Sequence, residues 1–277
     1  MKPCHARSCG LFPIIDKHVS CWIEEWQRTR RTFVGVDVSS TCTGVAAVQL
    51  IKGRVECVHS VALDMKKKAS DSKDTILHRR FDILKHAFMD LRKSFEDVKG
   101  NWEISVEDKI LRAGTAKGIV GSHTLAEVIV AARIAAYQVF PEHLPSKINP
   151  RSARAGLGLN IMGEGASREE TKSNVLAFVK ETVPDFEFTG KSSDEDRADA
   201  FVIALSAVRS ALNRELVNEP DVRKHFQQCH NLLPDPKKGN VHKRKLEDEV
   251  TTELDDRIQG WIDEIWLYRQ FPKRVAI

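Results

Sequence analysis

The sequence predicts an α/β fold: a mixed five-stranded sheet flanked by helices, with a C-terminal helical extension. Three observations carry this. Apolar, β-rich runs crowd the first third of the chain, helical periodicities then alternate with short strands, and a basic stretch marked by proline and glycine sets off the tail.

Phe33 to Asp37 (FVGVD), Thr43 to Leu50 (TGVAAVQL) and Arg54 to Leu63 (RVECVHSVAL) are three such runs. The polar turns Ser39-Ser40-Thr41 and Lys52-Gly53 separate them, so they predict an antiparallel meander. A helix follows from about Thr75 to Val98, where Ile76, Phe81, Leu84, Phe88, Leu91 and Phe95 recur at helical spacing. Glu103 to Glu107 (EISVE) reads as a short strand. Leu125 to Phe140 is apolar on most faces, which suits a helix buried on a sheet, and Pro145 to Ile148 supplies a last strand. Ser167 with Glu170 forms a capping box for a helix ending near Thr182, and Ser193 N-caps another running to about Leu216. The preceding N-terminal residues are weakly patterned.

The chain therefore divides into an N-terminal extension (1–31), a main domain (32–216), a helix and basic linker (217–245) and an amphipathic C-terminal helix (246–277). In the last, Leu246, Val250, Leu254, Ile258, Ile262 and Ile265 lie three or four apart. Such a helix is marginal alone in water and needs a partner surface, either its own domain or a second subunit.

Composition bounds the function. A hydrophobic fraction of 42% with 30% charged residues describes a soluble globular chain, and no stretch approaches the roughly 18 apolar residues of a membrane span. The net charge of +4 permits a nucleic-acid partner without requiring one. Six scattered cysteines form no disulfide framework, and no secretory segment is present, which predicts a reducing intracellular compartment. In a eukaryote that means the mitochondrion or the nucleus, and the cluster Lys237, Lys238, Lys243, Arg244 and Lys245 fits a nuclear signal or a basic DNA-binding linker equally. Cys4, His5, Cys9, His18 and Cys21 match no zinc-knuckle spacing.

The chemistry is concentrated in acids. DEDRADAFVIAL (194–205) opens a helix with four carboxylates. Acids at a helix start are favoured by the dipole, so capping alone accounts for such a stretch. Asp196 and Asp199, however, are three apart and share a face that continues into Phe201, Val202 and Leu205. Two ionised carboxylates beside a core call for a counter-cation, and a hard divalent ion is the usual one. Asp37 and Glu107 each end an apolar strand in a charge. Two strand ends and one helix start can thus supply four carboxylates, a set able to hold two divalent ions about 4 Å apart.

FVGVDVSSTCTGVAAV, ISVED and DEDRADAFVIAL, in that order, resemble the three acidic motifs of the RuvC-like Holliday-junction resolvases, a branch of the RNase H-like nucleases. The likeness spans about Phe33 to Arg209. It implies an RNase H-like sheet and two-metal phosphodiester hydrolysis with Mg²⁺, for which Mn²⁺ substitutes. The catalytic, metal-binding acids would be Asp37, Glu107, Asp196 and Asp199. Arg154 and Lys172 fall where the family carries lysines near the scissile phosphate. Arg151, with Arg112 and Lys117 in the glycine-containing loop after the second acid, extends the basic rim that a polyanion needs beside an acidic centre. Lys66 to Lys68, Arg79 and Arg80 are further candidates, with a solvated loop as the equal alternative for the lysine run. Two departures stand out. Val38 and Ser39 replace the Pro-Gly that commonly follows the first acid, and Ile110 with Leu111 occupies the place of an aromatic wedge.

The resemblance implies a homodimeric, Mg²⁺-dependent, structure-selective endonuclease that resolves four-way DNA junctions. Two alternatives stay open: another RNase H-fold nuclease, RNA-processing or transposase-like, and a non-catalytic nucleic-acid-binding protein of this fold.

Overall fold

The computed structural model describes residues 11–52, 54–95, 101–108, 116–157, 159, 168–183 and 186–224. Ile110, Leu111 and Arg112, the Ser167 cap, the basic linker, the C-terminal helix, and Cys4, His5 and Cys9 lie outside them. The chain falls into two units, Trp26–Val208 and a second drawn from Met1–Glu25 and Arg209–Ile277.

The larger unit is built on five strands, β1 (Thr32–Asp37), β2 (Cys42–Ile51), β3 (Arg54–Asp64), β4 (Trp102–Glu107) and β5 (Ser146–Ile148). Their order across the sheet is β3-β2-β1-β4-β5. β1 pairs antiparallel with β2 and parallel with β4, and β5 runs parallel to β4. This is the mixed five-stranded sheet that the sequence led us to expect.

Strand alternation decides what each face carries. Val34 and Val36 of β1, Val45 and Ala47 of β2, and Ile104 and Val106 of β4 belong to one buried cluster. With them are Leu84, Phe88 and Leu91 of the helix α2 (Lys73–Ser94) and Val128, Ala132 and Ala135 of α3 (Ala116–Val139). Phe140 anchors the end of that layer, its ring 4.7 Å from Trp102 and 6.3 Å from Phe88, and such pairs add about 0.5–1.5 kcal/mol each beyond their buried area. The alternate residues Gly35, Asp37, Gly44, Ser105 and Glu107 therefore point to the opposite face.

That face receives the helix α6 (Ser193–Val217). A Cβ on Gly35 would lie 2.1 Å from the Ala200 carbonyl oxygen, and one on Gly44 would lie 2.0 Å from that of Asp196. Only glycine lets the helix backbone come so close. Two shorter helices complete the unit, α4 (Pro150–Gly156) and α5 (Arg168–Thr182).

The remaining differences from expectation have identifiable causes. A helix α1 (Leu11–Arg28) forms in the weakly patterned N-terminal stretch, burying Val19, Ile23 and Trp26 at spacings of four and three. α3 begins at Ala116 and runs through Gly118 and Gly121, each of which costs a helix about 1 kcal/mol against alanine. Lys117 consequently lies in the first turn of α3, not in a loop. α4 is announced by Asn149, whose side chain accepts a hydrogen bond from the Arg151 N–H at 2.8 Å, and by Pro150 in its first turn. Ser193 is the first residue of α6, one position inside the cap assigned to it. Finally, α2 starts earlier because Ser72 and Thr75 form a reciprocal capping box.

In the smaller unit, the His18 ring hydrogen-bonds Asp221 at 2.7 Å and lies 3.9 Å from Glu219. Cys21 is exposed and free. Among the described residues, no helix is long and apolar enough to cross a membrane.

A carboxylate cluster on one face of the sheet

The strand registers carry two of the acids to one place. β1 and β4 are adjacent and parallel, with Val36 opposite Val106, so Asp37 and Glu107 end neighbouring strands on the same face. Both are buried, Glu107 almost completely. The Glu107 Oε2 accepts a hydrogen bond from the Val38 N–H at 3.2 Å, which fixes its carboxylate beside the backbone that leaves Asp37.

The third and fourth acids arrive on α6. Asp37 is paired in register with Gly44, and Gly44 lies directly beneath the Asp196 backbone. Asp196 is half-buried beside the Cys42 thiol. Burial raises its carboxyl above the usual range, the nearby charges of Asp199 and Glu195 add to this, and the Cys42 thiol and Lys172 oppose it. The Cys42 thiol is itself pushed up to about 12, first by burial, then by Asp196 and the negative charges of Asp37 and Asp64. That thiol stays neutral. Asp199, one turn on, binds the Arg154 guanidinium of α4 at 2.6 Å. Lys172 of α5 is ion-paired with Glu195.

The basic residues separate into three groups. Arg154 and Lys172 border the acids, and Arg151 is exposed on α4 one turn from Arg154. Lys117 starts α3, and Arg112 is outside the described residues. Arg79 and Arg80 do not join the rim. Arg79 is paired with Asp71 at 2.8 Å. Arg80 is buried and donates to the Met65 carbonyl at 3.0 Å and the Ser40 carbonyl at 2.7 Å. It ties down the turn that follows Asp37, where Ser39 and Thr43 also exchange hydrogen bonds.

Asp194 and Glu195 differ from the helix-capping role assigned to them. The Asp194 carboxylate turns back to accept from the N–H groups of Thr189 and Gly190, both at 2.8 Å, and from the Thr189 hydroxyl at 2.9 Å. Burial alone would raise its pKa, but these bonds and Arg197 outweigh it and hold the carboxyl below the usual carboxylate range. Cys42 and the two glycines are contributors that sequence reasoning missed, and Arg80, read there as a basic-rim candidate, instead holds the turn after Asp37. Only Gly44 had a signal, its place after Thr43 at the start of β2.

The carboxylates carried by β1, β4 and α6 suit hard divalent cations by donor chemistry: they offer oxygen only, and the buried pair lies on the face where burial disfavours the charged form of Asp196. Such a set is relieved by positive charge.

No family model and no curated protein matches the sequence. Among solved structures, the chain is similar to Thermus thermophilus RuvC, at 17% identity and a TM-score of 0.44, over 66% of this chain and 95% of that one. It is similar to RuvC in complex with Holliday junction substrate, at 14% identity and a TM-score of 0.43, over 67% of this chain and 95% of that one. The yeast mitochondrial Holliday junction resolvase Ydc2 is a third such structure, at 14% identity and a TM-score of 0.41, over 79% of this chain and 91% of that one.

Proposed function

We propose that this chain is a Mg²⁺-dependent endonuclease that resolves four-way DNA junctions. The observation that supports the reading is the placement of Asp37 and Glu107 at the ends of neighbouring parallel strands on one face, with the Asp196 backbone seated on Gly44, the register partner of Asp37. Divalent ions held by these acids would supply Lewis acidity for in-line hydrolysis of a phosphodiester. Asp37, on the strand between β2 and β4, would be one of the residues holding the ions. Glu107 is held in orientation by the Val38 N–H.

Arg154 and Lys172 pair with acids at the edge of this cluster. In the reading proposed here, DNA phosphate competes for both, and Arg151, Lys117 and Arg112 would be further DNA contacts. Ile110 and Leu111 are the candidate wedge at the crossover. A four-way junction offers two symmetric cleavage points, which a two-fold homodimer matches. Measuring cleavage of a four-way junction, a linear duplex, an RNA–DNA hybrid and a single strand tests the substrate class. Cutting confined to the junction is expected, and preferential cutting of the hybrid would transfer the chain to the RNA-processing alternative.

A further inference from the structure

The stretch DEDRAD divides into two faces of one helix. Asp196 and Asp199 turn to the carboxylate cluster, while Asp194 and Arg197, also three apart, lie about 200° around the helix from them. The second pair is engaged as fully as the first. The Arg197 Nη1 donates to Asp194 Oδ1 at 3.1 Å and to the Glu187 carbonyl at 2.8 Å. Its Nε donates to the Ser60 hydroxyl of β3 at 2.9 Å, and its guanidinium lies 4.9 Å from the centre of the Phe186 ring. Asp194 in turn binds the Thr189–Gly190 backbone and the Thr189 hydroxyl. Both side chains are close to nine-tenths buried or more, with 6% of Asp194 and 11% of Arg197 exposed.

We propose that Asp194 and Arg197 are positioning residues for the metal-binding pair, fixing the rotation of the first two turns of α6 and so the direction of Asp196 and Asp199. The glycine contacts set how closely α6 approaches the sheet, and the buried Phe201, Val202 and Leu205 fix the helix further along. The brace grips the first two turns, from the side opposite Asp196 and Asp199, through β3 and the 186–190 segment. Sensitivity to that rotation is high: a carboxylate held about 6 Å from the axis moves about 1 Å for every 10° of turn. Groups that orient metal ligands from behind change metal affinity by roughly 10–100-fold when removed.

This inference rests on the proposal that the four acids hold divalent ions, and the test separates the two. The full-length chain and its Arg197→Lys, Asp194→Asn and Ser60→Ala variants are melted in EDTA and across a Mn²⁺ titration, and the half-saturating Mn²⁺ concentration of the thermal shift is read for each. Positioning predicts that Arg197→Lys and Asp194→Asn raise this concentration about tenfold or more. Ser60→Ala, which loses one hydroxyl partner and keeps the fold, raises it by a few-fold. A purely structural brace would lower the melting temperature in EDTA and leave the Mn²⁺ midpoint where it is in the wild type, and that result overturns the inference. Should either charge variant fail to fold, Ser60→Ala decides by the same midpoint. Absence of any Mn²⁺-dependent shift in the wild type would instead remove the metal reading itself.

Discussion

Replacing Gly44 by alanine probes the join between the sheet and the acids. A Cβ at this position would sit 2.0 Å from the Asp196 carbonyl oxygen and 2.5 Å from its carbonyl carbon. Both are backbone atoms, so no side-chain rotation relieves the clash. To restore even a tight contact of about 3 Å, the first turn of α6 must withdraw by roughly 1 Å. Overpacking of this kind costs about 1–3 kcal/mol, and against backbone the upper part of that range applies. For a domain of this size the melting temperature should fall by roughly 4–12 °C. The same displacement moves Asp196 away from Asp37, the register partner of Gly44, and a 1 Å error in a reacting constellation costs about 100-fold in rate. Thermal denaturation followed by circular dichroism, together with junction cleavage at saturating Mg²⁺, measures both effects. A Gly44→Ala protein that melts within 1 °C of the wild type and cuts at the wild-type rate would refute the reasoning.

Three further outcomes follow from the site. Burial raises the Asp196 carboxyl, so the native state holds that proton more tightly than the unfolded chain and loses stability as pH rises through the folded value. Asp196→Asn should accordingly raise the melting temperature in EDTA at pH 7.5, a gain that narrows toward pH 4, while abolishing cleavage. Asp194 has the opposite sign: its lowered pKa gives stability that is complete above about pH 4 and is lost as pH falls through the folded value. Asp194→Asn should therefore cost about 2–4 kcal/mol in urea denaturation at pH 7, and much less at pH 3. Arg154→Gln should weaken junction binding and reduce the slope of log K against log salt by about one, measured by fluorescence anisotropy from 50 to 200 mM NaCl.

Much of the sheet was legible in the sequence because its strands are apolar runs bounded by polar turns. The two strand-ending acids stood out for the same reason, since FVGVD and ISVE have no apolar cause to finish in a charge. Helical spacing also put Asp196 and Asp199 on one face of α6. Spacing does not say which helix face meets which neighbour, and so Asp194 read as a cap when it is bound to Thr189 and Gly190. Arg80 was hidden for a related reason. A buried arginine that holds two carbonyls from separate strand ends is indistinguishable in sequence from a solvated one. α1 went unassigned although Val19, Ile23 and Trp26 recur at helical spacing, and the early start of α3 because two glycines argue locally against a helix that packing sustains.

The central claim is that Asp37, with the acids around it, makes this chain a junction-cutting nuclease. Its most direct test compares wild type and Asp37→Asn on a labelled synthetic four-way junction, with Mg²⁺ and with EDTA, reading binding by gel shift and cleavage by denaturing gel. The account predicts paired nicks from the wild type only when Mg²⁺ is present, and undiminished binding without nicks from Asp37→Asn. Cleavage by Asp37→Asn at the wild-type rate, or by the wild type in EDTA, would contradict it.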